Sequence, residues 1–208
     1  MQHFTNKLCR LLSQSEYRQL TQVKIALEQQ KRGYSPAQDF YKRIREGIQD
    51  FHRAGQEDKN DLDLIVNSQT DQKKKTAYPL VLAGYQKFLG RKSFQWFDPP
   101  REVYSPISDF SINVNPELGL QKEDGTRLLV KLYFKDAPLS KHKVNLVHHL
   151  LKESLEDGTG YQVGLLDIRR GKLFCPTVEI NGLDILLEGQ AMTFLTMWRR
   201  LSNGGSRK

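Results

Sequence analysis

The sequence predicts an α+β fold, with an N-terminal helical segment packed on a mixed sheet with flanking helices. Three observations predict it. Apolar residues recur at helical spacing through the first 93 residues, alternation with a period of two begins near Phe110, and Lys122–Thr126 has the composition of a tight hairpin. The expected organisation is a helical region over 1–93, an α+β core over 94–202 and a disordered basic tail over 203–208.

Ser13 and Glu16 form a capping box, Leu12 and Tyr17 are placed to staple the entry, and Tyr17, Leu20, Val23 and Leu27 continue at helical spacing to Gly33. Ser35 as cap, Pro36 at the first helical position and Gln38 open a second helix. Its stripe is Ala37, Phe40, Tyr41, Ile44, Ile48 and Phe51, and the two helices are expected to pair as an antiparallel hairpin. Residues 56–75 are polar, with a short apolar island at Leu62–Val66, and fit either a loop or a brief helix ending in Lys73–Lys75. A third helix carries Tyr78, Val81, Leu82, Tyr85, Phe88 and Leu89 and stops at Gly90. Residues 94–106 contain Asp98-Pro99-Pro100 and Ser105-Pro106, which breaks any helix and suggests a rigid aromatic connector.

Phe110, Ile112 and Val114 then alternate with polar residues, and Pro116 ends the run. In Lys122-Glu123-Asp124-Gly125-Thr126, Gly125 suits the left-handed position of a three-residue loop. That loop pairs Lys122 with Thr126, hence Leu118 with Val130 and Glu117 with Lys131. Leu118, Leu120, Leu128, Val130, Leu132 and Phe134 then share one face. Glu117, Gln121, Arg127, Lys131, Tyr133 and Lys135 share the other, with Leu129 as an apolar intruder. Ser140 caps a fourth helix through Leu155, and Tyr161–Ile168 reads as a strand covered on both faces. A turn at Arg170-Gly171 follows, and a last helix over about 184–201 is expected to bury Leu186, Leu187, Phe194, Met197, Trp198 and Leu201.

The 208 residues hold 32 Lys plus Arg against 24 Asp plus Glu, a net charge of +8 that favours polyanionic partners. No run approaches the roughly 20 apolar residues of a membrane helix. The N-terminus lacks a secretory pattern, so a cytoplasmic protein with reduced Cys9 and Cys175 is expected. No phosphate-loop or nucleophile-elbow spacing occurs.

The order helix, strand, hairpin, helix, strand over residues 76–175, with Pro116-Glu117 ahead of the hairpin and Leu129-Val130-Lys131 on its second arm, resembles the PD-(D/E)XK nuclease-like superfamily. The resemblance implies a restriction-endonuclease-like core and a Mg²⁺-dependent nuclease. Glu117 would be the metal-binding and catalytic acid, and Lys131 the catalytic lysine that orients an attacking water. Leu129 stands where the family's second carboxylate belongs, and an aliphatic side chain cannot supply the oxygen that Mg²⁺ prefers. Asp109, Gln121 or Asp167 are the neighbours able to replace it. Without catalysis, Glu117 and Lys131 would form a cross-strand ion pair, ordinarily worth about 0.2–1 kcal/mol.

Lys135, Lys141, His142 and Lys143 crowd the entry of the fourth helix, where the helix dipole already disfavours cations, and a bound phosphate would relieve the conflict. With Arg169, Arg170 and Lys172 they form the predicted nucleic-acid-binding set. The functional expectation is a nucleic-acid-associated protein, either a divergent nuclease or one that has lost catalysis. A protein-interaction module using the N-terminal helices is the alternative.

Overall fold

The structure, a computed structural model, describes residues 2–5, 16–32, 39–56, 60–155, 160–176 and 180–203. In chain order the elements are β1 Gln2–Thr5, α1 Glu16–Arg32, α2 Lys42–Arg53, α3 Asn60–Asn67, α4 Gln72–Leu89, β2 Gln95–Trp96, β3 Glu102–Ile107 and β4 Phe110–Val114. They continue with β5 Leu118–Gln121, β6 Arg127–Tyr133, α5 Lys141–Leu155, β7 Gln162–Asp167, β8 Lys172–Phe174 and α6 Leu183–Asn203. None of these helices is long and apolar enough to cross a membrane.

Five strands form one mixed sheet in the order β2-β5-β6-β7-β8, and β1-β4-β3 form a second, smaller sheet. The β5–β6 hairpin has the register that its turn dictates: Leu118 faces Val130, Lys122 N–H donates to Thr126 O at 2.9 Å, and Gly125 has φ 82°. β7 returns parallel to β6 after the crossover through α5, and β8 turns back antiparallel at Gly171, φ 63°. Burial separates the faces of the five-stranded sheet. Leu118, Leu120, Leu128, Val130, Leu132 and Leu166 pack on α2, α3 and α4, while Leu129, Val163 and Leu165 pack on α5, α6, α1 and the smaller sheet. Both cores therefore join residues from either side of position 94. Leu129 is no intruder on a wet face, because its face is covered.

Several expectations change. The helices α1 and α2 do not form a hairpin: Val23 and Ala26 of α1 join the α6 side, whereas Ile44, Ile48 and Phe51 of α2 join the opposite side of the sheet. The expected cap at Ser13 lies outside the described residues, as do Ser35 and Pro36. Phe40 and Tyr41 form a turn before α2, with Lys42 N–H donating to Asp39 O at 3.1 Å. The apolar island at 62–66 is the short helix α3. Lys73–Lys75 lie in the first turn of α4, whose cap Asp71 accepts from Lys74 N–H at 3.0 Å. The connector contains β2 and β3, the latter an edge strand that tolerates Pro106 through a register irregularity after Tyr104. Gln2–Thr5 pairs parallel to β4, a strand that no pattern in those four residues announced.

His52 is buried between α2 and the sheet, hydrogen-bonded to the Tyr85 hydroxyl and stacked on Trp96 at 6.4 Å. Burial lowers its pKa to about 4, and burial also holds the Tyr85 phenol far above its usual range. The unfolded chain therefore binds a proton at His52 that the folded chain refuses, so stability is full above about pH 6.5 and falls as pH drops toward 4. From about pH 7 to about pH 5 this residue is expected to cost about 2 kcal/mol in urea denaturation. That part of the fall should disappear in His52→Gln.

Candidate functional site

The hairpin register places Glu117 and Lys131 on one face, and their side chains meet. Lys131 Nζ lies 2.8 Å from Glu117 Oε1 and also donates to Asn115 O at 2.8 Å. Glu117 Oε2 accepts from Leu132 N–H at 2.8 Å, and the Glu117 backbone is held by Val130 O and by the Gln49 amide. Both side chains are only 10% exposed. The pair is therefore enclosed, and each carboxylate oxygen already has a donor. A buried pair of this kind is satisfied as a unit, and removing either member strands a charge.

Mg²⁺ takes several hard oxygens in near-octahedral array. Around Glu117 the donor set is poor for that. Leu129 contributes no oxygen and lies fully buried in the α5/α6 core. Asp167, on the same face of β7 by alternation from Leu165, gives its oxygens to the Arg170 guanidinium at 3.1 and 3.3 Å. Asp109 pairs with Arg199 at 2.7 Å, beside the smaller sheet. Gln121 lies beyond Leu120 on β5, four residues from Glu117. Among the described residues no three His, Cys, Asp or Glu side chains group as metal ligands. These residues do not fit the ion.

The predicted basic residues lie toward the C-terminal ends of the parallel strands β6 and β7, where the loop between β6 and α5 is bonded to the β7–β8 turn. Lys135 follows β6, and Lys141 and His142 are exposed in the first turn of α5. Ser140 Oγ accepts from Lys143 N–H at 3.3 Å, the cap the sequence announces. Lys143 itself is buried, its Nζ 5.1 Å above the Tyr133 ring, so it braces the helix entry from below. Arg169 donates to Phe134 O, to the Tyr41 hydroxyl and to Asp136, and Arg170 donates to Asp136 O as well as to Asp167. Lys172 is exposed, with Nζ 4.8 Å from the Phe174 ring. Lys135, Lys141, His142 and Lys172 thus form the outer rim, while Lys143, Arg169 and Arg170 hold the rim together.

Sequence reasoning missed the aromatic support from the helical layer. Tyr41 stacks on Phe134 at 4.7 Å and receives Arg169, and Lys74 Nζ lies 6.0 Å over Phe40. The signal lies in Phe40-Tyr41, which reads as part of a helix stripe, and in Lys73–Lys75, which reads as the end of a loop or brief helix. Trp96 and Phe97 are not at this end: Trp96 packs on His52, and Phe97 stacks on Tyr161 at 5.7 Å with Arg127 against both rings. Of the apolar stripe on α2, Ile44, Ile48 and Phe51 are buried against the sheet.

The far end of α5 borders a separate cavity of about 550 Å³, lined by His148, His149, Glu153, Tyr161 and Asp184 among others. His149 Nδ1 lies 4.0 Å from Glu153 Oε1, and His149 Nε2 is buried with no hydrogen-bond partner among the described residues. Of the three α5 histidines, His142 is exposed and His148 and His149 are half-buried. Comparison with protein-family models, with curated proteins and with solved structures finds no match for this chain.

Proposed function

We propose that the protein binds nucleic acid on a nuclease-like core whose acid and lysine serve the fold rather than catalysis. The observation that carries this reading is the gathering of Lys135, Lys141, His142, Arg169, Arg170 and Lys172 at one end of the parallel pair β6–β7, on a chain of net charge +8. In open sheets the carboxyl ends of parallel strands are where ligands meet the fold, because loops and helix N-termini converge there. A phosphate backbone laid across this rim would offset the lysine charge crowded at the α5 entry and release condensed counterions. The sequence of hairpin, helix and parallel strand supports the nuclease-like core, and the enclosed Glu117–Lys131 pair favours its non-catalytic form.

Fluorescence anisotropy with labelled DNA and RNA oligonucleotides tests the binding. Affinity should fall as salt rises with a log–log slope of about −3 to −4, the value for four or five phosphate contacts. Lys141→Glu with Lys172→Glu, two exposed side chains outside the core, should weaken binding at least about tenfold and flatten the slope by about 2. Binding that is absent at low salt, or that ignores both substitutions, removes the proposal.

A further inference from the structure

Helix α6 buries Leu183, Leu187, Ala191, Phe194 and Trp198, yet its outward side is not polar throughout. Ile185 is 68% exposed, Met192 59% and Leu186 45%, although Leu186 was expected in the core. Ile185 and Met192 are seven residues apart and lie along one line, with Gly189 between them. Among the described residues a Cβ on Gly189 would meet nothing within 4 Å, so no contact there calls for glycine. Glycine in mid-helix is unfavourable, and a close approach by another backbone is the usual reason to keep it. Charge is polarised along the exposed surface of the helix: Asp184 and Glu188, on the flank toward Tyr104, lie in the first half, and Arg199 and Arg200 in the last turns.

We propose that this face of α6 pairs with the α6 of a second copy of the chain, antiparallel, about a two-fold axis near Met192 and Thr193. A two-fold contact must be self-complementary, each patch meeting its own image reversed. Reversal about that point brings the two Met192 side chains together and lets the helices close over Gly189. It sets Asp184 and Glu188 of one copy against Arg200 and Arg199 of the other. A parallel pairing would instead oppose acid to acid and base to base. Arg199 is shared with Asp109 at 2.7 Å, which leaves Arg200 as the freer intermolecular cation. One helical face is smaller than a standard interface, so dissociation on the order of 10–100 µM is expected.

Sedimentation velocity on the full chain tests this. The wild type should move from 24.1 kDa toward twice that mass as concentration rises through this range. Gly189→Leu should hold it at the monomer mass with unchanged far-UV circular dichroism, since a Cβ there has open space among the described residues. Asp184→Arg and Arg200→Glu should each weaken dimerisation at least about tenfold, and the two together should bring it back to within a few-fold of wild type. A wild type that stays monomeric near 1 mM, a dimer that survives Gly189→Leu, or a double reversal that fails to restore the dimer would each overturn the proposal.

Discussion

Lys131→Met is expected to lower the stability of this protein by about 3–5 kcal/mol, far more than the loss of an exposed cross-strand pair would. Its ammonium group bonds Glu117 Oε1 and Asn115 O at 2.8 Å each, inside a site that is 90% closed to solvent on the Glu117 side and equally on its own. Removing the cation leaves the carboxylate buried, with the Leu132 amide as its remaining hydrogen-bond donor among the described residues. Glu117→Gln added to Lys131→Met removes that stranded charge and keeps an acceptor for the Leu132 N–H. The double variant should therefore be more stable than Lys131→Met alone by about 2 kcal/mol, a coupling readable by urea denaturation. A lysine kept open to solvent for catalysis would give a single-variant cost below about 1 kcal/mol.

Gly84→Ala should cost about 3 kcal/mol or more, although alanine is the better helix former. A Cβ at Gly84 would stand 2.0 Å from Ile168 O and 2.6 Å from the Arg169 carbonyl, and these are backbone atoms at the end of β7 that cannot swing aside. The other half of this contact is Gly171, in the left-handed region and facing Gly84 O. Helix α4 thus presses against the turn that carries Arg169, Arg170 and Lys172. The same substitution at Gly189, where a Cβ meets nothing within 4 Å among the described residues, should raise monomer stability by about 0.5–1 kcal/mol. Opposite signs at two glycines, each within a helix, distinguish close packing from helix propensity. Because Gly84→Ala displaces the basic turn, it should also weaken nucleic-acid binding in whatever fraction remains folded.

Local chemistry was legible in the sequence wherever it determines its own geometry. Gly125 fixes the hairpin loop, the loop fixes the register, and the register brings Glu117 to Lys131. Ser140 announced α5, and the period of Leu187, Phe194 and Trp198 announced the buried side of α6. What failed depends on packing partners distant in sequence. Nothing in Tyr17–Leu27 says that α1 crosses to the α6 side, because an apolar stripe records that a face is covered and not by what. Leu129 read as misplaced because alternation separates faces but does not reveal that both are buried. β1 and β3 escaped notice as short edge strands whose pairing with β4 supplies the order their own residues lack. The enclosure of Glu117 and Lys131 was equally hidden, since register sets orientation and only the surrounding layers set access.

That enclosure separates a binding protein from a nuclease, and a cleavage assay tests it most directly. The protein, at concentrations that saturate a labelled DNA or RNA substrate at low salt, is incubated with Mg²⁺ or Mn²⁺ and the products are resolved by length. The account predicts bound and intact nucleic acid with either ion. Ion-dependent cleavage that vanishes in Glu117→Gln, with binding preserved, would contradict it.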